Sequence, residues 1–317
     1  MPMRILIFGA GAVGQGVGGF LAAAGHEVTM LLRARYRDAL ARDGLTVSGL
    51  FGRRRVPPER LVLAADPAEL AGGRWDAVIL CVKSYDTAGC LDDLGRLAAP
   101  DAAVVSMQNG YGNVEALAAV LGRDRVLCAR VITGFSIPAP GRVEVTVHAD
   151  DVCAGSFYRP SHPSAGALAA ALSDAGLPAR AVDDVEAVLW GKILYNCALN
   201  ALGAVLGVPY GALGASPHAR AVMNAVIDEA FGVISAWGFP CRWADAGAFR
   251  EAFYGRQVPA TADHRPSMLQ DIEAGKRTEI DALNGALVRL AAEKRLPAPV
   301  NAALVGLIRF LEGRRGP

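Results

Sequence analysis

The hexapeptide Gly9-Ala10-Gly11-Ala12-Val13-Gly14 narrows what this 317-residue chain can fold into more than any other feature. It follows directly on a short apolar run, residues 3–8, and opens a stretch of helical composition that lasts to about residue 24. In a GxGxxG turn the first glycine permits the tight bend. The second lets the backbone approach a ligand's phosphates, and the third lets helix and strand pack in contact. The helix N-terminus adds free N–H groups and partial positive charge. The pattern alone is weak, because 36 glycines are spread along the chain. Placed between a first strand and a first helix, it predicts a dinucleotide-binding turn.

Beyond the turn, short apolar runs alternate with helical stretches. Residues 27–32, 76–82 and 102–107 are predominantly apolar, as strands buried on both faces of a parallel sheet tend to be. Residues 126–133, 142–147 and 151–155 predict further strands at an edge that closes the domain, and 44–56 a hairpin-like insertion. After Asp183-Asp184 the period becomes helical, over 184–202, 218–237, 243–254, 267–274, 279–294 and 300–311. Asp183 and Glu186 have the spacing of a capping box. The expected fold is α/β: a Rossmann-type doubly wound sheet over 1–183, then an all-α C-terminal domain over 184–317. A chain of 317 residues also exceeds the usual size of one core.

The end of the second strand selects the cofactor. An NAD site places Asp or Glu there to accept from the ribose 2′-hydroxyl. Here stand Arg33, Arg35 and Arg37, with no acid before Asp38. A guanidinium binds a 2′-phosphate through two parallel hydrogen bonds, whereas a carboxylate repels it. NADP(H) is therefore the expected cofactor, with Arg33 as its contact; Arg35 and Arg37 read equally well as a solvated loop. Lys83 and Asn109 follow the fourth and fifth strands, where loops meet ligands in open α/β sheets. Lys83 suits a cofactor phosphate or ribose, or is an exposed lysine. Asn109 suits ribose, nicotinamide or substrate, or with Gly110 an ordinary turn.

Composition removes other classes. Lys plus Arg (32) against Asp plus Glu (31) leaves a net charge of +1, with no long-range field for nucleic acid or anionic lipid. A small-molecule partner is the expectation. Six cysteines without a CxxC pair suit a reducing cytoplasm and argue against a disulfide or metal framework. A strand begins within a few residues of Met1, which leaves no room for a signal peptide. Residues 192–218 carry no Asp, Glu, Lys or Arg between Lys192 and His218, yet Asn196, Asn200, Gly203, Gly207 and Pro209 interrupt them, so a membrane span is not expected.

Lys192, Asn196 and Asn200 are spaced i, i+4, i+8 and form one polar stripe on an otherwise apolar helix. Buried amides and an ammonium require partners, which a polar substrate would supply. Hydride addition to a ketone develops an alkoxide, and a lysine beside it offers both charge and a proton. Snorkelling with a structural amide network is the competing account. Ser267 would hold a substrate carboxylate or cap a helix. Glu279 would open a helix, where negative charge is favoured in any case.

Together these segments resemble the ketopantoate reductase family, in order, from Gly9 to about Asn284. The motifs are residues 9–14, Arg33, Lys83, Asn109, the Lys192/Asn196/Asn200 stripe, Ser267-Met268-Leu269-Gln270-Asp271 and Glu279-Ile280-Asp281. The resemblance implies NADPH-dependent reduction of 2-dehydropantoate to pantoate, in pantothenate biosynthesis. Lys192 would be the proton donor and Glu279 would contact cofactor ribose or substrate hydroxyl. Asn109, Asn196, Asn200 and Ser267 would bind the 2-oxo acid. Domain closure over NADPH and a homodimer through the helical domain are implied as well. Departures are Tyr210 for a further asparagine, Gly203 for a threonine, and Phe135 within the unusual run 133–138. With Tyr210 and Phe135 in the pocket, a larger or more apolar 2-oxo acid, or oxidation of a hydroxy acid, is the alternative. A non-catalytic NADP(H) sensor would not need Lys192 with Glu279, and a scaffold would not need the glycine turn.

Overall fold

The computed structural model describes residues 2–314, which form two compact units. The first runs to Val185 without Asn109–Gly112; the second contains Asn109–Gly112 and the chain from Glu186 onward.

The first unit contains β1 (Arg4–Phe8), α1 (Ala12–Ala23), β2 (Glu27–Leu31), α2 (Ala34–Asp43), β3 (Leu45–Gly49), β4 (Arg54–Val56), β5 (Val62–Ala64), β6 (Ala77–Leu80), α3 (Thr87–Leu97) and β7 (Ala103–Ser106). It continues through α4 (Asn113–Leu121), β8 (Val126–Arg130), β9 (Thr133–Ala139), β10 (Arg142–His148), β11 (Val152–Gly155), α5 (Pro163–Asp174) and β12 (Ala179–Ala181). The main sheet has the order β12-β11-β8-β7-β6-β1-β2-β5. From β5 to β8 every pairing is parallel, and strand order reverses between β1 and β6, the switch point where such sheets bind ligands. β6 and β7 are buried at every residue, which is why their sequences are apolar without alternation.

A second sheet, β4-β3-β10-β9, was not expected. Residues 44–56 do form an antiparallel hairpin, β3 with β4. Residues 142–147 do not edge the main sheet: β10 pairs with β3 and β9 instead. Its alternating burial suits a strand covered on one face only, whereas a main-sheet position would bury both. Helix α1 lies between the two sheets. A Cβ at Gly18 would come within 2.6 Å of Met30 in β2, and one at Gly19 within 2.5 Å of Val47 in β3. The glycines of GQGVGGF thus serve contact on two faces.

The second unit is helical: α6 (Val185–Leu206), α7 (Tyr210–Ala215), α8 (Pro217–Trp237), α9 (Ala246–Ala252), α10 (Val258–Ala260), α11 (Ser267–Glu273), α12 (Asn284–Glu293) and α13 (Pro299–Gly313). α6 starts at Val185, and the Asp183 carboxylate accepts from Ser161 N (2.6 Å) and Oγ (3.0 Å). Residues 279–294 are not one helix, because a short 3-10 turn over Ile280–Ala282 precedes α12. Residues 243–254 divide into α9, capped by Asp245, and a π-turn over Phe253–Gln257. α6 meets the length and apolarity of a membrane span, but 78% of that stretch is buried inside the protein. Its apolarity is used for packing.

Candidate active site

The glycine turn lies at the carboxyl end of β1. Gly9 N and Ala10 N donate to Leu31 O at 3.1 and 2.8 Å, tying the turn to the end of β2. Gly9 has φ +90°, and a Cβ there would sit 2.8 Å from Val82 N. One on Gly14 would meet Gly9 O and Ile7 Cγ2, both at 2.9 Å. Gly11, the N-cap of α1, has nothing within 4 Å of its absent Cβ, and no side chain caps the helix. The turn is therefore tight at its first and third glycines and open at its second. Ala10, Ala12 and Val13 complete it. Buried Gln15, which sequence reasoning missed, donates from Nε2 to Ala10 O (2.9 Å). A polar residue inside so apolar a helix was the available signal.

The three arginines after β2 separate by partner. Arg35 lies 4.8 Å from the Tyr36 ring centroid, and Arg37 pairs with Glu69 at 2.8 Å. Arg33 is exposed, stands as N-cap of α2 in extended conformation, and has no side-chain partner among the described residues. Lys83 follows β6, half-buried, as N-cap of a 3-10 turn. Beside it Gln108 Nε2 donates to Val82 O (3.0 Å) and Thr87 Oγ1 (2.8 Å), joining the ends of β6 and β7. That network was also missed.

Asn109 belongs to the second unit and meets its charged residues there. Gly110, with φ +85°, lets the loop press on Ala282, and Tyr111 N donates to Ala282 O (2.9 Å). The Tyr111 ring packs against Trp190 and Phe239, each at 5.5 Å between centroids. So anchored, Asn109 Oδ1 accepts from Lys192 Nζ (2.6 Å) and Nδ2 donates to Glu279 Oε2 (3.2 Å). Lys192 is half-buried and Glu279 is 7% exposed. An ammonium, an amide and a carboxylate thus form one hydrogen-bonded chain from three distant segments.

Asn196 and Asn200 continue the stripe along α6, both buried. The Asn196 amide makes no hydrogen bond among the described residues, and Asn200 Oδ1 accepts from Tyr210 Oη (2.7 Å). Ser267 is exposed and is the first residue of α11, whose N-cap is Pro266. It makes no capping bond, so the capping role is set aside. Pro266 packs where a Cβ of Gly203 would lie (2.6 Å), which seats the start of α11 on α6 one turn from Asn200.

The profile described as ketopantoate reductase PanE/ApbA matches residues 5–157, and the one for its C-terminal part matches 184–312. The 2-dehydropantoate 2-reductase of Aquifex aeolicus is 37% identical over 98% of both chains, and that of Archaeoglobus fulgidus 36% over 98% of both. A solved PanE/ApbA family ketopantoate reductase from Ralstonia eutropha superposes with a TM-score of 0.86 at 34% identity, covering 98% of this chain and 99% of that one.

The chain belongs to the ketopantoate reductase family.

It is accordingly an oxidoreductase, built as this family's Rossmann sheet followed by its helical domain. Within the family pattern, two departures now have a physical setting. Tyr210 is 2% exposed and bonded to Asn200, while Gly203 makes room for Pro266. The third, Phe135, lies in β9 of the first unit, its ring within 2.3 Å of where a Cβ of Gly16 would be. It packs on α1.

Proposed function

We propose that this protein reduces 2-dehydropantoate to pantoate with NADPH, Lys192 supplying the proton. The observation that carries the reading is the hydrogen-bonded chain Lys192–Asn109–Glu279 beside the unspent amide of Asn196. An NADP(H) molecule fits the first unit's features. The open space over Gly11 and the uncapped N-terminus of α1 suit a pyrophosphate, and unpartnered Arg33 suits a 2′-phosphate. Lys83 would add a contact to phosphate or ribose, and Asn109 or Glu279 one to ribose. When bound, the reduced nicotinamide supplies the hydride to the keto carbon.

The protein's own part is to hold the 2-oxo acid and deliver the proton. Asn196, Asn200 and Ser267 bind its oxygens by donation. Lys192 Nζ keeps one N–H on Asn109 Oδ1 and turns another to the keto oxygen, stabilising the developing alkoxide and then protonating it. Glu279 Oε2 accepts from Asn109 Nδ2, so the asparagine cannot rotate away from the ammonium. The same carboxylate would meet a substrate hydroxyl.

A different 2-oxo acid is the second reading, because Tyr210 fills space beside Asn200 where the family pattern has a smaller amide. Following NADPH absorbance with a panel of 2-oxo acids decides between them. Preferred turnover of 2-dehydropantoate supports the first reading and preferred turnover of another acid the second. Tight NADPH binding without any turnover would sink both in favour of a sensor. We further propose a cytoplasmic homodimer. Free cysteines support the reducing compartment, and exposed Leu307 and Phe310 on α13 support association through the helical unit.

A further inference from the structure

We infer that Tyr210 is a positioning residue, which locks the Asn200 amide so that it meets the substrate only as a hydrogen-bond donor, facing an acceptor oxygen. The inference rests on the reading of Asn200 as a ligand of the 2-oxo acid. The lock follows from proton accounting. Tyr210 is 2% exposed and Asn200 3%, and the phenol's acceptor among the described residues is Asn200 Oδ1, at 2.7 Å. Turning the amide over would set Nδ2 against the phenol oxygen and strand a buried O–H without an acceptor, which buried donors avoid. Burial also pushes the Tyr210 phenol well above its ordinary value of 10.0, so it stays a donor wherever the enzyme works.

The phenol itself is held on all sides. Tyr210 N donates to His264 O (3.2 Å), and Gly211 N to Ala262 O (2.8 Å). Its ring meets Tyr195 edge-on at 5.7 Å between centroids. Tyr195 is fixed in turn: Thr261 Oγ1 donates its one hydrogen to Gln257 O, so the 2.6 Å contact between Tyr195 Oη and Thr261 Oγ1 has tyrosine as donor. Asn200 is left with Nδ2 free of any partner among the described residues. A carboxylate or keto oxygen satisfies that group, whereas a ligand hydroxyl gains nothing by donating to it.

The test is a double-mutant cycle of Tyr210→Phe and Asn200→Ala, with Asn200→Ser in reserve should the alanine variant not fold. Steady-state kinetics on the preferred 2-oxo acid and NADPH binding are measured for each protein. We expect Tyr210→Phe to raise KM for the oxo acid about tenfold, with kcat held within about twofold and NADPH affinity unchanged. Added to an Asn200 variant, Tyr210→Phe should raise KM no further. If substitution of Asn200 leaves KM unchanged, the reading of Asn200 as a substrate ligand falls and the inference with it. If it raises KM while Tyr210→Phe does not, or the two effects simply add, only the role of Tyr210 is overturned.

Discussion

At the scale of single residues, the chemistry depends on who is bonded to whom. Lys192 reaches Asn109 Oδ1 at 2.6 Å, and Asn109 is itself tied to Glu279. Lys192→Ala removes the proton donor, so kcat on the preferred oxo acid should fall on the order of 10²–10⁴-fold while NADPH still binds. Unchanged kcat, followed by NADPH absorbance, would remove Lys192 from the mechanism. Arg33 differs from its neighbours in having no partner among the described residues, unlike Arg35 on Tyr36 and Arg37 on Glu69. Arg33→Ala should therefore weaken NADPH binding roughly tenfold or more and leave NADH nearly untouched. Equal losses for both cofactors would show that Arg33 does not read the 2′-phosphate.

At the scale of elements, the glycine turn makes opposite predictions for two of its members. A Cβ on Gly14 would stand 2.9 Å from both Gly9 O and Ile7 Cγ2, where backbone and sheet leave no slack. Gly14→Ala should therefore cost stability, roughly 1–3 kcal/mol, seen as a lowered denaturation midpoint. Gly11 has nothing within 4 Å, so Gly11→Ala should shift Tm by no more than about 2 °C. Yet the added methyl occupies the space a pyrophosphate would use, so NADPH affinity should drop. A stable Gly14→Ala protein, or a Gly11→Ala protein that binds NADPH normally, would contradict this division of roles. The same reasoning explains α1 as a whole, a helix thin enough to lie between two sheets.

At the scale of the whole molecule, pH acts through buried groups. Burial holds the His264 imidazole below its ordinary value of 6.5, against the ring of Tyr210 at 5.2 Å. A depressed folded-state value means that the unfolded chain binds the proton more readily. The stability His264 lends as a neutral group is thus complete above pH 6.5, and acid removes it as pH falls through the lower folded value. Melting temperature should decline below that pH, and the decline should be shallower in His264→Gln. Identical slopes for the two proteins would assign acid sensitivity to other groups.

Strands β1, β2, β6, β7, β8 and β11 and the glycine turn were legible in the sequence because their signals are local: largely apolar runs packed inside a sheet, and three glycines at fixed spacing. The i, i+4, i+8 stripe of Lys192, Asn196 and Asn200 was legible for the same reason, since helical geometry alone sets it. Partners were not. Sequence spacing left Asn109 open among turn, cofactor and substrate; only tertiary packing of Gly110 and Tyr111 on the helical unit brings it to Lys192 and Glu279. The second sheet escaped for a related reason, since β3 and β10 pair across some ninety intervening residues and no local period encodes a long-range register. Phe135 and Tyr210 looked alike as pocket aromatics, yet one packs on α1 and the other bonds Asn200. Local pattern determined which elements form and where polar groups must seek partners. The choice of partner was decided in three dimensions, because hydrogen-bond satisfaction and close packing are properties of atoms brought together by the fold.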